Sequence, residues 1–187
     1  MQHKKLIMPS GSRFYHGFIP DGAVDFSPDY NAKDILAYLT QKSRSVSDRP
    51  WSNSLYLAYD ETIPKGCIDK DNITGYIVEL MLGENLAYIH SCNETFAGKC
   101  RQDEVPEIVK EEVEALIGKN DPEQQFMTYL GNHNFAFECF YNDKYLVEFI
   151  VPSNLIYKFR VVSITPIKYS WKTFEYTKGT TICKKED

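Results

Sequence analysis

Apolar residues follow two different periods along this chain. A spacing near two, the signature of a half-buried strand, is clearest in Thr74-Gly75-Tyr76-Ile77-Val78-Glu79-Leu80-Met81-Leu82. The same reading predicts an early strand over Ser12 to Phe18 and a core strand over Trp51 to Tyr59. Leu86 to His90 follows the turn residues Gly83-Glu84-Asn85, as a hairpin partner or as a second strand around a bulge. Asn134 to Phe140, Tyr145 to Val151 and Leu155 to Ile164 complete the set, with Pro152-Ser153-Asn154 as the loop between the last two.

Helical spacing appears in two longer stretches. From Asp29 to Thr40 it gathers Ile35, Leu36 and Leu39 on one face, with Asp29 or Asn31 as the cap. The polar run Gln41 to Pro50 then reads as an exposed loop. From Asp103, Val105, Ile108, Val109, Val113, Leu116 and Ile117 share a helical face that Gly118 ends. A shorter helix over Glu123 to Tyr129, stopped by Gly131, is also expected. Together these give about seven strands and two or three helices in a single α+β domain spanning the chain.

Composition changes this picture in only one respect. Hydrophobic and charged shares of 43% and 25% are ordinary for a soluble protein, but an aromatic share of 14% favours strands and flat faces for stacking a planar ligand. A net charge of −5, without a basic stripe, argues against nucleic acid as a partner. No apolar run approaches the roughly 18 residues of a membrane span, and the first residues lack the apolar centre of a signal peptide. Cysteines at 67, 92, 100, 139 and 183 show no paired spacing, so free thiols are expected.

Metal and phosphate motifs fail on spacing. The histidines at 3, 16, 90 and 133 are scattered, and no glycine-rich run precedes a helix. No metal is expected. Glu111, Glu112 and Glu114 fit the solvated side of their helix, whereas Glu148 stands in Tyr145-Leu146-Val147-Glu148-Phe149-Ile150-Val151-Pro152, apolar on both faces. A carboxylate there needs solvent, a partner or a ligand. In Ser12-Arg13-Phe14-Tyr15-His16-Gly17-Phe18 a polar His stands beside a Gly, where a backbone can approach a ligand.

Taken in order, Tyr15-His16-Gly17, the strand Trp51 to Asp60, the strand Gly75 to Leu80 and Val147-Glu148-Phe149 followed by Pro152 to Ile156 resemble the mono-ADP-ribosyltransferase toxins, over about residues 12 to 164. The resemblance implies a fold of two packed, mainly antiparallel sheets with flanking helices. It implies NAD as the substrate, Glu148 as the catalytic carboxylate and His16 as the ribose anchor of the diphtheria-toxin type, with Gly17 beside it. Tyr56 then looks like the tyrosine that stacks on nicotinamide, with Tyr59 as a second candidate for that wall. Arg13 is the reserve anchor if the first strand serves as in the cholera and pertussis toxins. The family's Ser-Thr-Ser element is replaced by Ala58-Tyr59-Asp60, or matched out of register by Ser52-Asn53-Ser54, which makes Ser54 a further candidate. Leu146 stands two residues before Glu148, where arginine-modifying members carry Glu.

The implied function is transfer of ADP-ribose from NAD to a protein target by a monomeric bacterial toxin or effector, secreted or translocated into the cytosol of a host or competitor cell. A catalytically inactive interaction protein on the same scaffold is the rival expectation. A thiol hydrolase pairing one of Cys67, Cys92, Cys100 or Cys139 with His16, His90 or His133 is the third.

Overall fold

The computed structural model describes residues 6–20, 31–45, 53–66, 68–92, 128–141 and 146–184. In chain order these form β1 (Leu6–Met8), β2 (Arg13–Phe18), α1 (Ala32–Ser45), β3 (Ser54–Ala58), α2 (Thr62–Gly66), β4 (Thr74–Leu82) and β5 (Leu86–Cys92). There follow β6 (Phe135–Tyr141), β7 (Leu146–Pro152), a 3₁₀ segment Ser153–Lys158, β8 (Phe159–Ser170), β9 (Glu175–Lys178) and β10 (Ile182–Cys183). The helix expected from Asp103, the Asp29 cap and most of the segment Glu123 to Tyr129 lie outside the described residues.

The protein is mixed α/β, built on one ten-stranded sheet in the order β1-β5-β6-β7-β3-β2-β4-β8-β10, with β9 also on β8. Among the described residues, β5 and β6 are the only two paired strands that run parallel. The expected two separate sheets are therefore two halves of one hydrogen-bonded path. They meet at a narrow seam, because β2 and β3 share the single register pair Tyr15 with Ala58, while β3 and β7 pair from Ser54 to Ala58 and β2 and β4 along all of β2.

Of the two arrangements expected for β4 and β5, the hairpin does not form. β4 lies between β2 and β8, and β5 lies between β1 and β6. Both β1–β2 and β4–β5 cross from one half to the other side by side, tied at the corner by Gly11 N–H to Leu82 O at 2.7 Å and Leu82 N–H to Ser12 O at 2.9 Å. The halves fold toward each other across this corner. Phe14 of β2 stacks on Phe149 of β7 with ring centroids 4.9 Å apart, although β3 separates their strands.

The core lies on this inner face. It holds Phe14, Phe18, Leu55, Leu57, Val78, Leu80, Phe149 and Val151, closed by Ile35 and Leu39 of α1. Asn31 caps α1, its side-chain oxygen accepting from Asp34 N–H at 2.9 Å. The helix runs past Thr40 because its polar groups are satisfied inward: Ser43 Oγ bonds Ser153 Oγ at 2.7 Å between two buried side chains. That contact also holds the 3₁₀ segment, which takes Leu155 and Ile156, expected in a strand, into the core. A smaller cluster, Ile68, Ile77 and Ile167 with Tyr15 and Ile19 against it, covers part of the outer face.

Candidate functional site

Residues directly opposite one another in antiparallel strands share a face of the sheet. Glu148 of β7 is opposite Ala58 of β3, Ala58 is opposite Tyr15 of β2, Tyr15 is opposite Glu79 of β4, and Glu79 is opposite Ser163 of β8. One cross-strand row on the outer face thus carries two carboxylates, a phenol and a hydroxyl across the seam. Tyr56, opposite Ile150 and two residues from Ala58, belongs to the same face beside Glu148. Ala58 is the low point of the row: its methyl lies between Glu148, Tyr15 and Tyr56, all three half-buried.

His16 occupies the seam itself. In a continued ladder Gly17 would stand opposite Tyr56, but the pairing stops after Tyr15, and the Tyr56 carbonyl lies 2.8 Å from His16 Nδ1. A carbonyl only accepts, so this bond assigns the proton to Nδ1 and leaves Nε2 the acceptor of the neutral ring. Strand alternation starts the imidazole on the inner side with Phe14 and Phe18, and its ring lies 6.0 Å from that of Phe18.

Gly17 has a packing role of its own. A Cβ on it would stand 2.4 Å from the Pro64 carbonyl oxygen, so its bare backbone seats α2 against β2. The same segment is clasped from outside: Lys178 and Lys65 both pair with Glu61, and Trp171 donates from Nε1 to Asp69 O at 2.7 Å and from its backbone N–H to Asp71 at 2.8 Å.

The remaining candidates separate. Arg13 shares the outer face with Tyr15, but its guanidinium pairs with Glu79 at 2.5 Å, and the other Glu79 oxygen accepts from Ser163 Oγ at 3.0 Å. Ser54 is buried at the far end of β3, opposite Pro152, with the Tyr56–Ile150 pair between it and the Ala58–Glu148 pair. Tyr59 follows β3 on the other side of the sheet, its ring 5.4 Å from Phe14 and 6.4 Å from Phe149, and its hydroxyl donates to Glu138. The structure therefore brings Glu148 and Tyr56 together, sets His16 on the Tyr56 backbone, and leaves Tyr59 and Ser54 away from Glu148.

Electrostatics mark the two tyrosines differently. Burial, then the charges of Glu79 and Glu61, push the Tyr15 phenol above its ordinary range, with Asp60 adding to this and Arg13 opposing it. Burial and the hydrogen bond to Glu138 push Tyr59 up much further. Sequence reasoning passed over Glu79 and Glu138. The signal used for Glu148, a carboxylate within an apolar strand, was available for both glutamates.

Among the described residues no three His, Cys, Asp or Glu side chains gather to hold a metal, and no helix is long and apolar enough to cross a membrane. The side chains of Cys67, Cys92, Cys100, Cys139 and His90, named for a thiol site, lie outside the described ones. His133 donates from Nδ1 to the Tyr129 carbonyl at 2.9 Å. No protein-family model, curated protein or solved structure matches this chain.

Proposed function

We propose that the chain is a mono-ADP-ribosyltransferase that uses NAD to modify a protein target, with Glu148 as its catalytic carboxylate. One observation supports this most: the strands of His16, Tyr56 and Glu148 are consecutive neighbours, and the seam opens where His16 replaces the ladder. Tyr56 and Glu148 share the outer face on either side of the Ala58 position, which sets an aromatic ring beside a carboxylate.

Bound NAD supplies an ADP-ribosyl group whose bond to nicotinamide breaks with positive charge growing at the ribose carbon. Glu148 faces that charge and orients the ribose hydroxyl. His16, with Nδ1 bonded to the Tyr56 carbonyl, fixes the β3 backbone that carries Tyr56 beside Glu148. Tyr56 packs against the leaving ring. The rival reading, an interaction protein without catalysis, is favoured by Ala58, a residue without a hydroxyl, standing opposite Glu148.

Calorimetric titration with NAD, together with nicotinamide release, tests the proposal. Saturable binding and turnover are expected; a chain that neither binds nor cleaves NAD contradicts it.

A further inference from the structure

We infer that the β8–β9 hairpin is a docking element for an anionic lipid surface, which its tip enters with Trp171 and Phe174. The inference stands apart from the chemistry proposed for Glu148.

The loop Trp171-Lys172-Thr173-Phe174 joins β8 to β9 and is closed by Phe174 N–H, which donates to Ser170 O at 2.8 Å. Its last residue takes a left-handed backbone, with φ 57° at Phe174. Gly or Asn usually fills such a place, because a bulky side chain is strained there. No packing within the chain offsets this, since Phe174 is 77% exposed and Trp171 61%. Backbone strain of this kind is found where a residue is held for binding. Trp171 donates from Nε1 to Asp69 O at 2.7 Å, so its polar group is satisfied and what it presents to water is hydrocarbon ring. Two large apolar rings thus meet solvent at the end of a hairpin whose strand β9 is exposed throughout.

Charge and area select the occupant. Residues 168 to 184 hold four lysines against the single Glu175, in a chain of net charge −5. Lys172 stands between the two aromatic residues, and the loop itself contains no carboxylate. Acids against the hairpin are engaged by the protein: Asp71 accepts from Trp171 N–H at 2.8 Å and from Asn72 Nδ2 at 2.9 Å, and Glu61 pairs with Lys178 and Lys65. A buried aromatic side chain contributes about 150–250 Å², so the two rings offer far less than the roughly 800 Å² per side of a stable protein interface. A headgroup layer needs no matching surface. Aromatic rings lodge at its boundary, while lysine stems lie along the apolar zone and keep their ammonium groups beside anionic lipid.

The test is cosedimentation of the full chain with vesicles of equimolar phosphatidylserine and phosphatidylcholine, and with vesicles of phosphatidylcholine alone. Binding to the mixed vesicles is expected, weakened by salt and at least about tenfold weaker on phosphatidylcholine. Phe174→Asn suits the left-handed backbone, so its melting temperature should equal or exceed that of the wild type while vesicle affinity falls about tenfold. Lys172→Ala should weaken binding to the mixed vesicles and leave binding to phosphatidylcholine unchanged. Tyr157→Ser, at another exposed aromatic residue on the 3₁₀ segment, should bind as the wild type does. A chain that does not sediment with the mixed vesicles, or a folded Phe174→Asn variant that binds them as tightly as the wild type, overturns the inference. Self-association that Phe174→Asn abolishes, without vesicle binding, also overturns it and assigns the tip to a second copy of the chain.

Discussion

His16 Nδ1 donates to the Tyr56 carbonyl oxygen at 2.8 Å, in the place where a continued ladder would put a backbone N–H of β2. A side chain of β2 thereby ties itself to the β3 backbone where the two strands share only one register pair. A single neutral hydrogen bond of this kind contributes about 1 kcal/mol to stability. Its larger effect is to fix the ring.

His16→Ala should therefore cost little stability, about 1 kcal/mol in chemical denaturation, and weaken NAD binding by about tenfold or more. Calorimetry on the folded variant reads this directly. An unchanged dissociation constant contradicts this positioning role.

Gly17 and Gly131 should respond differently to alanine. At Gly17 the added Cβ meets a backbone oxygen, Pro64 O at 2.4 Å; at Gly131 it meets the Asn154 side chain at 2.2 Å. An exposed side chain can turn away, whereas a carbonyl moves only with its strand or helix. Gly17→Ala should destabilise by about 2 kcal/mol and Gly131→Ala by clearly less, measured as urea midpoints. Equal losses contradict the packing assigned to α2.

Much of the sheet was legible in the sequence where alternation ran long. β4 matches its predicted span, and β2, β3, β6 and β7 differ from theirs by a few residues at the ends. The short strands β1, β9 and β10 were not, because three residues or fewer give no period and the four residues of β9 are all exposed. The crossing of β4 into β5 was hidden because Gly83-Glu84-Asn85 serves a hairpin and a corner equally well. The candidate site was half legible for a related reason. Spacing along one strand put Tyr56 and Tyr59 close together, but their odd separation sends them to opposite faces, and only register between strands brings Tyr15 to Ala58.

The clasp on Glu61 makes an acid-dependent contribution. Lys178, then Lys65, hold this carboxyl below its usual range despite partial burial. A depressed carboxylate stabilises the fold above its unfolded value near pH 4.3 and loses that contribution as pH falls through the lower folded value. Both side chains are substantially solvated, so the effect stays below about 1 kcal/mol. Lys178→Ala should lower the melting temperature slightly at pH 7 and lose less than the wild type below about pH 4; parallel acid profiles contradict this.

Tyr59 acts at the other extreme. Its phenol is raised in the folded state, so its contribution is complete below the unfolded value near pH 10 and declines as pH rises beyond it. Tyr59→Phe, which cannot ionise, should retain more of its neutral-pH stability above about pH 10 than the wild type retains. Thermal melts across that range check it, and identical alkaline losses count against the Glu138 contact.

The most direct measurement is NAD cleavage by Glu148→Gln, which preserves shape and removes the charge. With NAD binding and the melting temperature close to wild type, nicotinamide release should fall at least about a hundredfold. Undiminished release by the folded variant contradicts the assignment of Glu148 and, with it, the transferase reading.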